Sequence, residues 1–328
     1  MALGFAGCAT VPPREAELRG ETMGSEWTLR VVGRLPASLP VLQAGAQARF
    51  DAVNQALSTW RPDSALSRFN ENDSGEWVDV DPELAAVMSY GLGLAASSDG
   101  AYDLTVGPLV NLWGFGPDPA RDHAPEAADI EAARTRVGWR KLEVDVARHR
   151  ARKAPGVRVD LSSLGKGRGV DRVAEYLDAQ GVANYLIDLS GKLRARGVNA
   201  ARQPWRVAVE QPAADDPSGA PRTVPVTVSL RDASIATSGD YRKYFESGGR
   251  HYSHIIDPRT GSPVTHTTLS ATAIGNTCME ADALATVFMV MPPDVALRLA
   301  DARHTPALWI SRANGSFRLA RSASWPLE

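Results

Sequence analysis

The chain has 328 residues, of which 44% are hydrophobic and 23% are charged, and its formal net charge is -2 at pH 7. These values are typical of a globular protein, and the length supports one large domain or two intimately packed subdomains. The near-neutral charge provides no basic face for nucleic acid. No run approaches the roughly 18 consecutive apolar residues that a membrane-spanning helix requires.

The N-terminal segment contains a candidate lipidation site. The run "GFAGC" at 4–8 ends in Cys8 and resembles the cleavage box of bacterial lipoproteins, in which the cysteine becomes the lipidated N-terminus. The seven residues before Cys8 include no Lys or Arg and form neither a charged n-region nor a full apolar h-region, so a tail with a chance cysteine is the alternative. Because Cys8 is so near the start, we expect no structural disulfide between Cys8 and Cys278.

The first half of the chain predicts three helices. Apolar residues at three- and four-residue steps predict an amphipathic helix over residues 41–57. Asp81 is a suitable N-cap for a second helix, which has Pro82 at its first position. A third helix is predicted near residues 125–137, after the irregular loop "WGFGPDPARDHAP".

In the middle of the chain, the spacing of the apolar residues changes. We interpret "GVRVDL" as a strand, "SSLGKGRG" as a glycine-rich loop and "VDRVAEYLDAQG" as a helix that Gly181 closes. Short runs that are β-branched or alternately apolar then predict sheet strands at 183–189, 205–210, 223–230 and 269–275.

The C-terminal part predicts two helices and two strands. The apolar segment 277–291 has the length of a buried helix, a helix at 293–302 follows, and "ALWI" and "SFRLA" are predicted as closing strands. With no internal repeat or low-complexity tract, these elements indicate an α+β or mixed α/β protein.

The sequence lacks the motifs of several classes of enzyme. The sequence has no Gly-x-Ser-x-Gly elbow, no Walker loop, and no His-x-x-x-His or Cys-x-x-Cys pair for a transition metal. Hydroxyls, carboxylates and glycines remain, and these residue types bind phosphate and a hard cation such as Mg²⁺.

Two segments combine residues of these types. In "EADALAT", Asp282 and Thr286 are four residues apart and share one face of an apolar helix; the alternative is a capped or water-bridged Asp near the helix start. Residues 162–169 provide hydroxyls, backbone N–H groups at a helix N-terminus and Lys166, a combination that suits an anion, although glycine-rich turns before helices are common.

A third segment, "HYSHIIDPRTGSP" at 251–263, has an unusual density of functional side chains. His251, His254, Asp257 and Arg259 surround an Asp-Pro turn. The alternative is an ordinary strand and turn with packed histidines.

Together these segments resemble the ApbE family of flavin transferases. The resemblance covers about residues 20–320 and rests on seven motifs in the family's order: "ETMGSEW", "LSTWRPDSALSRFN", "GAYDLTVGPLVNLWGFG", "VDLSSLGKGRGVD", "ATSGDYRKYF", "HIIDPRTGSP" and "CMEADALATVFMVM". It implies an α+β, ApbE-like (T-fold-like) domain over residues 20–325, with mixed helices and antiparallel-rich sheets. Residues 1–19 are then a lipoprotein signal remnant and linker.

The activity that the resemblance implies is a Mg²⁺-dependent transfer of FMN from FAD to a threonine hydroxyl of an acceptor protein, with release of AMP. The implied acceptors are respiratory flavoproteins with a periplasmic flavinylation motif. The implied location is the periplasmic face of the bacterial inner membrane, with a lipid anchor on Cys8. A Mg²⁺-dependent FAD pyrophosphatase and a periplasmic FAD-binding protein are the alternatives.

The resemblance also implies roles for individual residues. Asp282, Thr286 and Ser163 match metal ligands, and the neighbouring Ala285 offers a carbonyl. His254 matches a histidine at the cavity mouth that helps activate the threonine, and Asp282 is a second proton acceptor. The residues that match the FAD site are Met23, Trp60, Ala101, Tyr102, Asp103, Asp160, Lys166 and Ile256. Core packing is their alternative, strongest for Met23 and Ile256.

One segment departs from the family pattern. Ser190, Gly191 and Lys192 are present where relatives commonly have Gly-Gly-Glu, so a basic side chain replaces an acidic one. The departure puts the local loop geometry in question. We interpret Lys192 as a turn residue without a catalytic role.

Overall fold

A computed structural model describes residues 15–118, 121, 123–210, 226–240, 243–313 and 316–326. Its strands are β1 (Glu15–Thr22), β2 (Ser25–Val32), β3 (Val78–Asp79), β4 (Leu142–Asp145), β5 (Arg150–Lys153), β6 (Tyr185–Leu189), β7 (Lys192–Arg196), β8 (Trp205–Val209), β9 (Val226–Leu230), β10 (Ala233–Gly239), β11 (Tyr244–Ser247), β12 (Arg250–Ser253), β13 (Ile256–Asp257), β14 (Ser262–Pro263), β15 (Thr268–Gly275), β16 (Ala307–Ala313) and β17 (Ser316–Arg321). Its α-helices are α1 (Leu39–Leu57), α2 (Ala65–Glu71), α3 (Pro82–Ser97), α4 (Gly107–Leu112), α5 (Ala127–Arg134), α6 (Ser162–Ala179), α7 (Cys278–Val290) and α8 (Pro293–Ala302).

The largest sheet is antiparallel throughout. Its strand order is β1-β2-β6-β7-β10-β15-β16-β17. Helices α1, α6 and α7 pack on one face of this sheet. The β8–β9 hairpin covers part of the other face, where Val207 and Val228 contact the same apolar cluster as Ile235 and Ile310. The predicted α+β class with antiparallel sheets is confirmed.

The sequence of β2 explains how one strand contributes side chains to the apolar clusters on both faces of the sheet. Alternate side chains point to opposite faces of a strand. Trp27, Leu29 and Val31 are therefore buried together against the helices, whereas Val32 joins the cluster on the other face. The preceding two-residue turn places Met23 and Gly24 at φ 48 and 67, as a tight hairpin with the native twist requires.

The helices predicted from amphipathic spacing are confirmed. Helix α1 contains the predicted 41–57 segment, α5 lies within 125–137, and α8 has the predicted bounds. Asp81 caps α3 as expected, since its carboxylate accepts from the N–H groups of Glu83 and Leu84 at 2.8 and 3.3 Å. The sequence patterns did not predict strands β1, β2, β7 and β10. Strands β1, β7 and β10 are rich in charged or small residues, whereas Trp27, Leu29 and Val31 of β2 do alternate.

The predicted strand and loop before α6 are wrong. Segment 156–161 contributes an isolated bridge between Val106 and Arg158, and residues 162–169 form the first two turns of α6. The glycines permit close helix packing here. A Cβ on Gly167 would lie 2.5 Å from the Cys278 carbonyl oxygen and 2.7 Å from the Met279 Cα, so the missing side chain lets α6 contact the start of α7.

We expect Gly167→Ala to lower the free energy of unfolding by about 1–3 kcal/mol, because backbone cannot move aside for the added methyl group without strain. Gly165→Ala is the matched control in the same helix, since a Cβ there meets nothing within 4 Å. Alanine's helix propensity should make that control neutral or stabilising by roughly 0.5–1 kcal/mol. Urea unfolding of both variants without FAD tests this. Equal effects of the two substitutions would contradict the packing account.

Candidate active site

A cavity of about 1230 Å³ lies between the large sheet, α6, α7 and the segment that leads from β12 to β13. This volume is sufficient for a dinucleotide, since small-ligand pockets are typically about 300–1,000 Å³. Its lining includes each residue predicted to bind FAD, together with Ser163, Asp282, Thr286 and His254. The fold therefore gathers segments that are far apart in the sequence around one cavity.

Asp282 lies at the contact between α6 and α7. The residue is 2% exposed, and its Oδ2 accepts from the Gly167 N–H at 3.1 Å. Its Oδ1 lies 2.7 Å from the Nζ of Lys192. The carboxylate thus has one partner on α6 and one on the sheet, which fix its position in the cavity wall.

Lys192 is not the turn residue that we predicted. Ser190 and Gly191, at φ 53 and 82, form the turn between β6 and β7, and Lys192 is the first residue of β7, paired with Leu189. Its side chain lies in the cavity, where Nζ also donates to the Thr237 carbonyl at 2.6 Å. The turn interpretation is therefore wrong, since Lys192 is a strand residue with its side chain in the cavity wall.

Asp171 is a positioning residue that sequence reasoning missed. Its carboxylate, on α6, accepts from the N–H groups of Cys278 at 2.7 Å and Met279 at 2.9 Å. These are the first two residues of α7, so Asp171 caps the helix that presents Asp282. Burial raises the pKa of Asp171 to about 6, an effect that the two backbone hydrogen bonds oppose. Its place at the end of "VDLSSLGKGRGVD", on a buried helix face, was the available signal.

The oxygen atoms around Asp282 are suited to a hard cation. Thr286 follows one turn later, and its Oγ1 lies 3.3 Å from the Ser238 Oγ. Across the described part of the chain, no group of three or more His, Cys, Asp or Glu side chains could bind a metal. A cation here would combine one carboxylate and hydroxyls with oxygens from water or phosphate, which is the coordination that Mg²⁺ accepts.

The other two predicted metal ligands differ in their placement. Ser163 lines the cavity, and its Oγ donates to the Tyr102 hydroxyl at 3.1 Å. Ala285 is fully buried and packs in the apolar core, and the structure does not bring it to the cavity wall.

Two carboxylates among the predicted FAD residues organise the surrounding backbone. Asp103 is buried, and its oxygens accept from the Thr105 N–H and hydroxyl at 2.8 and 2.6 Å and from the Trp139 N–H at 2.8 Å. Asp160 accepts from the Ser162 N–H at 2.7 Å, immediately before α6. Both residues line the cavity and also fix the loops that form it.

Lys166 and Trp60 provide charge and aromatic surface. The Lys166 Nζ donates to the Ser25 hydroxyl at 2.9 Å, which connects α6 to the β1–β2 hairpin. Trp60 is 59% exposed although it lines the cavity, and the Lys243 Nζ lies 5.8 Å from its ring centroid. An exposed indole at a cavity edge is a suitable surface for stacking a planar ring.

Met23 and Ile256 have packing contacts as well as cavity surface. Met23 packs against the two apolar clusters beneath the cavity, and Ile256 is buried in the cluster around Trp113. The packing alternative proposed for both residues is therefore consistent with their surroundings.

The functional side chains of segment 251–263 lie in different environments. His254 lines the cavity, whereas His251 is exposed and packs on Tyr244 with ring centroids 4.4 Å apart. Arg259 pairs with Asp257 at 2.8 Å within the turn. Of the two histidines, His254 alone lines the cavity.

The imidazole of His254 has a defined tautomer. Its Nδ1 lies 3.0 Å from the Lys243 carbonyl oxygen, which can act only as an acceptor, so Nδ1 has the hydrogen and Nε2 the lone pair. Burial lowers the pKa of His254 to about 4, with smaller effects from the charges of Lys243 and Lys192. The ring is therefore neutral at pH 7. The Phe115 ring packs edge-on to it, with centroids 6.2 Å apart.

Other sequence predictions concern the two cysteines and membrane-spanning helices. Cys8 and its lipoprotein motif are not among the described residues, and Cys278 is buried as a free thiol whose pKa burial raises. Within the described ranges, each helix is too short or too polar to cross a bilayer.

Proteins similar to this chain in sequence and fold include flavin transferases. The family model "ApbE family" matches residues 23–309. The FAD:protein FMN transferase of Vibrio cholerae is 39% identical over 98% of this chain and 94% of its own length; that of Salmonella typhimurium is 41% identical over 86% and 80%.

Solved structures show the same relationship. The flavin transferase ApbE from Vibrio cholerae superimposes with a TM-score of 0.87 at 38% identity, covering 96% of this chain and 99% of that one. The apo form of the Pseudomonas stutzeri flavinyl transferase ApbE gives 0.86 at 35% identity, with 96% of each chain covered. The chain belongs to the ApbE family.

Proposed function

We propose that this protein is an FAD:protein FMN transferase, which moves FMN from FAD to a threonine hydroxyl of an acceptor flavoprotein and releases AMP. The observation that carries the proposal is that one dinucleotide-sized cavity contains both the Asp282 carboxylate and a neutral His254. The names of the relatives, FAD:protein FMN transferase, support the same activity.

The cavity provides separate surfaces for the parts of FAD. The exposed Trp60 ring is a stacking surface for one of the two ring systems. The N-terminal turn of α6 and the Lys166 ammonium provide positive potential for the pyrophosphate. FAD binding should therefore depend mainly on contacts that do not involve α7.

The metal of the proposed reaction is Mg²⁺. Asp282 and Thr286 would bind it, with Ser163 as the third protein ligand, because their oxygens line the cavity and suit a hard cation. When bound, Mg²⁺ neutralises charge on the phosphates.

His254 is the base of the proposed transfer. The threonine oxygen attacks the phosphorus on the FMN side of the pyrophosphate, the phosphorus–oxygen bond to AMP breaks, and AMP leaves with the bridging oxygen. The hydroxyl proton passes to Nε2 of His254, which is unprotonated at pH 7. Asp282 is less suited to take that proton, since both its oxygens already accept from Lys192 and Gly167.

Incubation with FAD, Mg²⁺ and a candidate acceptor separates this function from its alternatives. In-gel flavin fluorescence on the denatured acceptor indicates a transferase. Free FMN and AMP with an unlabelled acceptor indicate a pyrophosphatase, and unchanged FAD indicates a binding protein.

We expect His254→Ala to lower the transfer rate by about 10²- to 10⁴-fold with a much smaller change in FAD affinity, because a positioned base contributes mainly to rate. His251→Ala is the matched control, since His251 is exposed in the preceding strand and does not line the cavity. Equal losses of rate and affinity in His254→Ala would support a packing role instead.

The lowered pKa of His254 predicts the acid limb of the pH–rate profile. Protonation removes the Nε2 lone pair, so the rate falls as the pH drops through the pKa of His254, which is about 4. The profile should show no ionisation of this group between about pH 6 and pH 8. An acid limb near the ordinary histidine value, absent from His254→Ala, would contradict the lowered pKa.

We expect Asp282→Asn to abolish transfer while FAD binding is partly retained, because the substitution removes the charge with little change in shape. Glu280→Gln is the matched control, since Glu280 lies on the same helix and does not line the cavity. Transfer should be measured across a Mg²⁺ titration and FAD affinity separately. A near-parental rate with an unchanged Mg²⁺ requirement would show that the metal binds elsewhere.

We propose a lipid anchor on Cys8 and a periplasmic location at the inner membrane, where respiratory flavoproteins with a threonine-containing motif would be the acceptors. The support is the "GFAGC" run. We expect Cys8→Ser to move the natural precursor from the membrane to the soluble fraction on fractionation, with transfer activity unchanged. A Cys8→Ser protein as membrane-bound as the parent would eliminate the anchor.

A further inference from the structure

Lys192 provides a positive charge at the predicted metal ligand. Its Nζ lies 2.7 Å from the Asp282 Oδ1 and donates to the Thr237 carbonyl at 2.6 Å. The side chains of Lys192 and Asp282 are 11% and 3% exposed. Removing either partner of such a desolvated pair leaves an uncompensated buried charge, which is strongly destabilising.

The neighbouring cations have other partners. Lys166 donates to the Ser25 hydroxyl, and Arg194 donates to the Ser234 hydroxyl and the Asn276 carbonyl. The remaining Asp282 oxygen accepts from the Gly167 N–H, a neutral donor. Lys192 is therefore the cation that balances the Asp282 carboxylate in the described structure.

We propose that the Lys192 ammonium and a divalent cation are competing partners of Asp282, so that Lys192 sets the metal affinity of the site. This inference rests on the metal site of the proposed function. A divalent ion at Oδ1 would lie within a few ångströms of the ammonium, and like charges so close in a partly buried site repel strongly. Metal binding therefore requires the ammonium to leave the carboxylate.

The surroundings of Lys192 allow this exchange. The side chain has a flexible four-carbon stem, and its second contact is to Thr237 on β10 rather than to α7. The ammonium can therefore leave Oδ1 and keep the carbonyl contact. Lys192 also lines the cavity, so its ammonium stays in the cavity wall after the exchange.

Direct measurement of Mn²⁺ binding tests the competition. Free Mn²⁺ is followed by electron paramagnetic resonance during titration of the full chain, alone and with ADP as a diphosphate that cannot transfer FMN. The variants are Lys192→Met, which keeps length without charge, Lys192→Gln as a polar alternative, and Lys192→Arg, which keeps the charge. Thermal unfolding and circular dichroism establish that each variant is folded.

We expect Lys192→Met and Lys192→Gln to bind Mn²⁺ at least about tenfold more tightly than the parent, because the competing charge is gone. Lys192→Arg should remain within about threefold of the parent, and adding Asp282→Asn to Lys192→Met should remove the gain. Unchanged, weaker or undetectable Mn²⁺ binding by both neutral variants would overturn the inference, as would a gain that survives Asp282→Asn.

Flavin transfer in the same preparations distinguishes this inference from the proposed function. If the parent transfers FMN but the neutral Lys192 variants bind Mn²⁺ no more tightly, the proposed function is supported and the proposed competition is wrong. If the parent shows no transfer activity but the neutral Lys192 variants gain Mn²⁺ affinity as expected, the proposed competition is supported and the proposed function is wrong.

Discussion

The close contact between α6 and α7 is the constraint on which the rest of the site depends. Gly167 allows the α7 backbone to approach within a distance that any side chain would prevent. Three hydrogen bonds then join the helices in both directions, because Asp171 on α6 accepts two from the start of α7 and Asp282 on α7 accepts one from the Gly167 N–H. The orientation of the Asp282 carboxylate therefore follows from helix packing rather than from a flexible loop.

The antiparallel sheet supplies the other half of the site. Because β7 and β10 are adjacent, Lys192 and Thr237 lie next to each other beneath α7, and Ser238 follows beside Thr286. Charged and hydroxyl groups from the sheet thus meet the one buried carboxylate of the helix. A buried Asp without such partners would destabilise the fold or become protonated.

The sequence predicted features that depend on local pattern and missed those that depend on tertiary contact. Helices α1, α3 and α8 have spacing, caps or proline positions that are readable locally. Residues 162–169 resemble a loop because glycine is a poor helix former, yet packing against α7 overrides that propensity. The residues that the family motifs assigned to FAD, metal or catalysis all line the cavity except Ala285. The ion pair of Lys192 with Asp282 was not predictable, since it depends on the strand order of the sheet and on the packing of α7 against β7 and β10.

His254 and the ion pair of Asp282 with Lys192 are linked by electrostatics. Burial is the main reason that His254 is neutral, but the positive charge of Lys192 also disfavours its protonation. An ion pair with Asp282 compensates part of that charge. When the ammonium leaves the carboxylate, its charge is less compensated and a proton on His254 is disfavoured further. Cation binding at Asp282 should therefore help to keep His254 unprotonated, which is the state required to accept the proton of an incoming hydroxyl.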